Sequence, residues 1–95
     1  MRPHRNEKIA STIQKELGKI FAKDLEFDAL VTILDVNVSE DLLKTEVSLG
    51  IIPYEKGPEI WKMLHDHKRE IQHKVLKRMK IKSVPTLFFK IEDPK

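Results

Sequence analysis

The feature that most constrains this chain is a helical pattern that cannot continue as it begins. Ile60, Leu64, Ile71 and Val75 recur at three- and four-residue steps or their sums, which stacks them as one apolar stripe. Pro58 suits the first helical position, where its fixed φ fits and its missing N–H is an orphan anyway. Leu76 and Met79, however, are rotated roughly a quarter-turn from that stripe, and Lys68 falls within it. Either the helix kinks between about Leu64 and Ile71, or its tail leans on a different surface. Ser83-Val84-Pro85 ends the helix, because a residue before proline is pushed out of the α region. Thr86 to Ile91 then reads as a strand with Leu87, Phe89 and Ile91 on one face.

The opposite side of the same helix is cationic. A turn of roughly 100° per residue places Arg69, His73, Lys77 and Lys80 together, flanked by Lys74, Arg78 and Lys82. Charge is segregated along the chain as a whole. Residues 1–23 carry +4, residues 24–60 carry −7 and residues 61–82 carry +6. Such segregation supports oriented binding to a polyanion, although charged helix faces also keep a small protein soluble.

Upstream, Arg2 to Phe21 reads as a first helix, with Ile9, Ile13, Leu17 and Ile20 or Phe21 spaced for one buried face. Asn6 as a cap or Pro3 as the first helical residue are alternative starts. Lys8, Lys15 and Lys19 share a face away from the apolar stripe, and Gly18 either weakens the helix or marks close packing. Asp24, Glu26 and Asp28 alternate in an acidic loop that lacks the glycine and terminal glutamate of a calcium loop. Leu30 to Val38 reads as a strand, and Ser39-Glu40-Asp41 as a turn. Leu43 to Leu49 follows with strict alternation, Leu43, Thr45, Val47 and Leu49 facing in and Lys44, Glu46 and Ser48 facing out. So short a connection makes the two strands an antiparallel hairpin. The order is helix, strand, strand, helix (or two in succession), strand, an α+β layer with helices on one sheet face.

Ninety-five residues make one domain, residues 1–95, with a modest core. The chain has no cysteine, which excludes disulfides, thiol catalysis and cysteine-based zinc sites. Nothing resembles a signal peptide or an apolar span of about 20 residues, so a cytoplasmic protein without membrane contact is expected. His65 and His67, two apart on a helix, point in different directions and cannot share a metal. Asp35 and Asp41 resemble an acid/base pair only superficially, since a hairpin turn is a simpler home for Asp41. No nucleophile motif or phosphate-cradling glycine loop exists, and neither an enzyme nor a cofactor is expected. Trp61, Tyr54 and Phe88 are the candidates for base stacking. Trp61 reads as a packing residue and Phe88 as exposed on the outer sheet face.

Several phrases and their order resemble the ribosome-binding factor A family, over nearly the whole chain. They are Val31-Thr32-Ile33-Leu34-Asp35-Val36, then Val38-Ser39-Glu40-Asp41-Leu42, then Val47-Ser48-Leu49, and finally Ile81 to Phe89 through Ser83-Val84-Pro85. Arg2 and Arg5 fit the basic start of that family's first helix. The resemblance implies a type II KH-like domain of order α-β-β-α-α-β with a three-stranded sheet. It also implies a bacterial assembly factor that binds the small (30S) ribosomal subunit and its rRNA. Such a factor assists late maturation and rRNA 5′-end processing, notably in the cold, and it is a monomer with no small-molecule substrate. With the cationic helix faces read above, the RNA contacts expected are Arg2, Arg5, Lys8, Lys15, Lys19, Lys68, Arg69, His73, Lys74, Lys77, Arg78, Lys80 and Lys82. The chain departs from the family at three places. His67-Lys68-Arg69 stand where the family has an Ala-x-Gly-like kink, Gln72 and Lys82 stand where it often has arginine, and its longer C-terminal tail is missing beyond Lys95. The alternative reading is a protein-interaction module that docks a partner through its acidic stretch 24–60 or its sheet edge.

Overall fold

Alternation from Thr45 onward gives the second strand one buried face, and this strand becomes the centre of the sheet. The structure, a computed structural model, describes residues 3–79 and 85–92, with side chains from residue 7 onward. Its elements are α1 (Pro3–Lys23), β1 (Leu30–Val38), β2 (Lys44–Ile52), a 3-10 turn at Tyr54–Lys56, α2 (Gly57–Asp66), α3 (Lys68–Met79) and β3 (Thr86–Ile91). The expected order α-β-β-α-α-β is present. The sheet runs β1-β2-β3, with β1 antiparallel and β3 parallel to β2. A parallel neighbour requires a crossover, which α2 and α3 supply.

On β2, Thr45, Val47, Leu49 and Ile51 are buried, flanked by Val36 of β1 and Leu87 of β3. Over that face lie Ile13, Leu17, Ile20 and Phe21 of α1, Ile60 and Leu64 of α2, and Ile71 and Val75 of α3. A fully buried aliphatic side chain of this kind contributes about 1.5–3 kcal/mol by leaving water. The apolar stripes that define the three helices are therefore the same surfaces that cover the sheet. Leu25, Phe27 and Ala29 alternate with Asp24, Glu26 and Asp28 and draw the connecting loop onto the core. Phe27 meets Phe21 edge to face at 5.5 Å between centroids.

Three expectations need correction. Leu43 does not face in. It lies in the hairpin turn just before β2 and is 64% exposed. There the Asp41 carboxylate accepts the Leu43 N–H at 3.0 Å and the Ser39 hydroxyl at 2.6 Å, holding a tip that no helix covers. Ser48 points to the outer face but is buried, because it stands between Asp35 and Lys90 in the middle of the sheet. Gly18 marks no close packing, since a Cβ built on it would meet nothing within 4 Å.

The helical region does break, and without the Ala-x-Gly-like motif. His67 joins α2 to α3 at φ −102° and ψ 10°, in the sparsely allowed bridge region that needs no glycine. Its ring turns back so that Nδ1 lies 2.8 Å from the Met63 carbonyl, which can only accept and so fixes the proton on that nitrogen. The His67 N–H donates to the same carbonyl at 3.1 Å, while the His67 carbonyl receives the Ile71 N–H at 2.9 Å. The histidine thus satisfies one carbonyl at the end of α2 and one N–H at the start of α3.

Candidate nucleic-acid interface

The break at His67 turns the buried face of α3 relative to that of α2. Ile71 and Val75 stay inward, Gln72 and Leu76 become half-buried, and Arg69, His73 and Lys77 are left fully on the exposed side. The phase change in the sequence therefore records a real rotation of the helix against the sheet. Lys68, which sits in the apolar stripe, does not enter the core. Its ammonium reaches the ring of Phe88, 4.3 Å from the centroid, a cation–π contact across the β3 side.

The helices α1 and α3 pack against each other, so their cationic rows are neighbours. Lys8, Lys15 and Lys19 are exposed on α1, and Arg69, His73 and Lys77 on α3. The cations at the seam are already engaged. Lys74 lies 3.3 Å from Asp24, and Arg78 lies 3.7 Å from Glu16. Glu16 also approaches Lys19 at 3.8 Å, and its Oε1 is buried without a hydrogen bond among the described residues. Glu16 is thus a negative charge set between two positive rows, held by Coulomb attraction alone. Arg5 lies in α1, but its side chain is outside the described residues, as are Arg2, Lys80 and Lys82.

A shallow groove opens beside the helix break, lined by His65, Asp66, Lys68, Arg69 and Gln72. The Lys62 ammonium, 3.0 Å from Asp66, holds that carboxyl below its ordinary value of 3.8. Trp61 stacks on His65, centroids 4.8 Å apart and planes 9° apart, and its Nε1–H donates to the Phe89 carbonyl at 2.9 Å. Trp61 is thus a packing residue that still shows part of its ring, and Phe88 is 45% exposed on the outer sheet face. Helical i, i+4 spacing is the signal for the Trp61–His65 pair. The Lys68–Phe88 contact has none, because it joins a helix to a strand far along the chain. Among the described residues no three His, Asp or Glu side chains converge as metal ligands, and no helix is long and apolar enough to cross a membrane.

Comparison with known proteins bears on the family and the fold. The family model described as Ribosome-binding factor A matches residues 5–94. A ribosome-binding factor A from Akkermansia muciniphila is 27% identical over 90 residues, covering 94% of this chain and 72% of that protein. The crystal structure of ribosome-binding factor A from Thermus thermophilus superposes with a TM-score of 0.69 at 19% identity, over 96% of this chain and 94% of that one. A homology model of the Thermus thermophilus factor, fitted into a cryo-EM map of a 30S complex, gives a TM-score of 0.69 at 20% identity over 93% and 91%. The α+β arrangement with a three-stranded mixed sheet is accordingly KH-like.

Proposed function

This chain belongs to the ribosome-binding factor A family, and we infer from its cationic helix faces that it binds the small ribosomal subunit through rRNA. The observation that carries this reading is the adjacency of the exposed Lys8, Lys15 and Lys19 row to the exposed Arg69, His73 and Lys77 row. Their apolar stripes are committed to the sheet, so both rows face outward. Lysine and arginine on such a surface hold phosphates and displace counterions, which gives affinity and orientation rather than base specificity. The groove at the helix break adds Arg69 and Lys68 beside the exposed part of Phe88, a combination suited to an unpaired base.

The mechanism is positional. The protein has no turnover chemistry and acts by binding one arrangement of a pre-rRNA segment more tightly than its competitors, which shifts the population toward it. Late maturation and 5′-end processing of the small-subunit rRNA then proceed from the favoured arrangement, with the greatest benefit in the cold, where alternative RNA pairings persist. The factor works as a monomer in the bacterial cytoplasm.

Co-sedimentation of the purified protein with separated ribosomal particles tests this. Binding to small subunits that exceeds binding to large subunits and to free RNA is the expected result. Equal recovery with all three would reduce the reading to general polyanion affinity, and recovery with none would end it.

A further inference from the structure

The sheet has two edges, and they are treated differently. On β3 the outward Leu87 N–H is taken by Gln72 Oε1 at 2.7 Å, and the outward Phe89 carbonyl by Trp61 Nε1 at 2.9 Å. On β1 the outward groups can be read from the pairing. The Leu49 carbonyl accepts the Glu92 N–H, so Leu49 turns its main chain toward β3. By alternation, its partner Ile33 and the next such residue, Val31, turn theirs away from the sheet. Val36 is also outward, but beyond the bulge at Ile33/Asp35 its N–H is taken by Asp35 Oδ1 at 3.0 Å. Among the described residues nothing takes the outward groups of Val31 and Ile33.

Beside this open stretch runs a groove lined by Gln14, Gly18 and Ala22 of α1, by Phe27, and by Val31 and Ile33 of β1. The three α1 residues follow at four-residue spacing and so stand one above another, small or uncharged. With nothing within 4 Å of a Cβ on Gly18, the wall leaves room for a side chain from outside. The chain on either side of the open stretch is acidic: residues 24–43 hold six carboxylates and no Lys or Arg, of which Asp24 and Asp28 are paired with Lys74 and Lys56. Glu26 and Asp28 precede the open stretch and Asp35 follows it, all exposed.

We propose that the Val31–Ile33 edge and the α1 groove receive an extended, Lys- or Arg-rich segment of a partner protein, added as a fourth strand. Main-chain bonds to Val31 and Ile33 supply affinity, and every second side chain of the guest turns into the groove beside Gly18. Cationic residues toward its ends meet Glu26 on one side and Asp35 on the other, while Asp28 is already paired with Lys56 at 2.7 Å. Glu26 and Asp35 disfavour a polyanion at this edge, and α3 with its cationic row packs on the side of α1 that carries Glu16, away from the wall of Gln14, Gly18 and Ala22. The two surfaces are therefore compatible with simultaneous occupation.

The test uses the full chain, isotope-labelled, and an acetylated, amidated peptide of alternating lysine and valine as the probe. Saturable binding is expected, with the largest amide shifts and the strongest exchange protection at Val31 and Ile33. The same peptide N-methylated at every second residue is made in both phases. One phase should lose about tenfold or more in affinity and the other should not, because only alternate amides face β1. Gly18→Leu fills the groove with a better helix former, so it should weaken peptide binding by about tenfold while leaving the fold and RNA binding intact. No saturable binding up to about 1 mM, equal loss or no loss for both methylated phases, or shifts centred on the outer face at Leu34 and Ile52 would each overturn the proposal.

Discussion

The Gln72 side-chain carbonyl accepts the Leu87 N–H at 2.7 Å, so a helix residue stands where the next strand of the sheet would be. Trp61 does the same one rung further on, at the Phe89 carbonyl. An open strand edge is a template for pairing with another chain, and covering it removes that hazard. The two bonds also fix α2 and α3 along β3. They carry the rotation at His67 into the placement of Arg69, His73 and Lys77.

Gln72→Leu should therefore destabilise the protein by about 1–2 kcal/mol, since it leaves the Leu87 N–H without an acceptor while keeping the side-chain volume. Gln72→Glu retains an acceptor oxygen and should lose less. Urea denaturation checks both, through a lowered midpoint at unchanged slope.

Gly18→Ala should act in the other direction. Gly18 lies in the interior of an exposed helix face with open space around it, so alanine removes backbone entropy from the unfolded chain without a clash. A gain of about 0.5–1 kcal/mol is expected. A loss in thermal stability would mean that the space beside Gly18 is filled in solution.

How much of this is legible in the sequence depends on the range of the forces involved. The strand Leu30–Val38 coincides with its apolar run, because enrichment in β-branched and aliphatic residues is a local signal. The helix break is legible as the quarter-turn by which Leu76 and Met79 depart from the stripe of Ile60, Leu64, Ile71 and Val75, although the residue that makes it, His67, shows in the sequence only as a departure from an Ala-x-Gly-like pattern. Leu43 departs from its expected place because alternation says which way a side chain points and not where the covering helices stop. Lys74 and Arg78 read as free cations since their partners, Asp24 and Glu16, reach them only through the packing of α1 on α3. The cationic face is visible as a row. Its internal neutralisation, and the cap that Gln72 places on Leu87, belong to tertiary contacts that no local pattern encodes.

Stability should fall at both extremes of pH through one ion pair. The Lys56 ammonium, 2.7 Å from Asp28, lowers that carboxyl below 3.8, and Asp28 in turn raises Lys56 above 10.5. A depressed acid contributes stability above its unfolded value, and the contribution is lost as pH falls through the folded value. A raised base contributes below its unfolded value and loses it as pH rises through the folded one. Asp28→Asn should flatten both limbs in denaturation midpoints measured across pH. Ser39→Ala should flatten only the acid limb, because the Ser39 hydroxyl is the main cause that holds Asp41 below 3.8.

Glu16→Gln should strengthen RNA binding. The substitution removes the one carboxylate set between Lys19 and Arg78 and frees both for phosphate, at the cost of a buried oxygen that accepts no hydrogen bond here. A steeper salt dependence, by about one further phosphate contact, is the expected sign. Unchanged affinity would show that the α1–α3 seam lies outside the RNA footprint.

The decisive comparison is between two faces of the molecule. Arg69→Glu combined with Lys77→Glu reverses the exposed row of α3, while Lys44→Glu combined with Lys90→Glu reverses two cations on the outer face of the sheet. All four side chains are exposed, so each change should alter stability by under about 0.5 kcal/mol and leave the fold in place. Log affinity for small-subunit rRNA should fall with log salt at about 0.7–0.9 per phosphate contact, and the α3 variant should lose both affinity and slope. The sheet variant should lose little of either, since Lys90 is already 3.9 Å from Glu92 and Lys44 stands beside the acidic hairpin tip. Fluorescence titrations at several salt concentrations read both quantities. If the sheet variant loses RNA and the α3 variant keeps it, the outer face with Phe88 is the binding surface, and the cationic rows serve solubility alone.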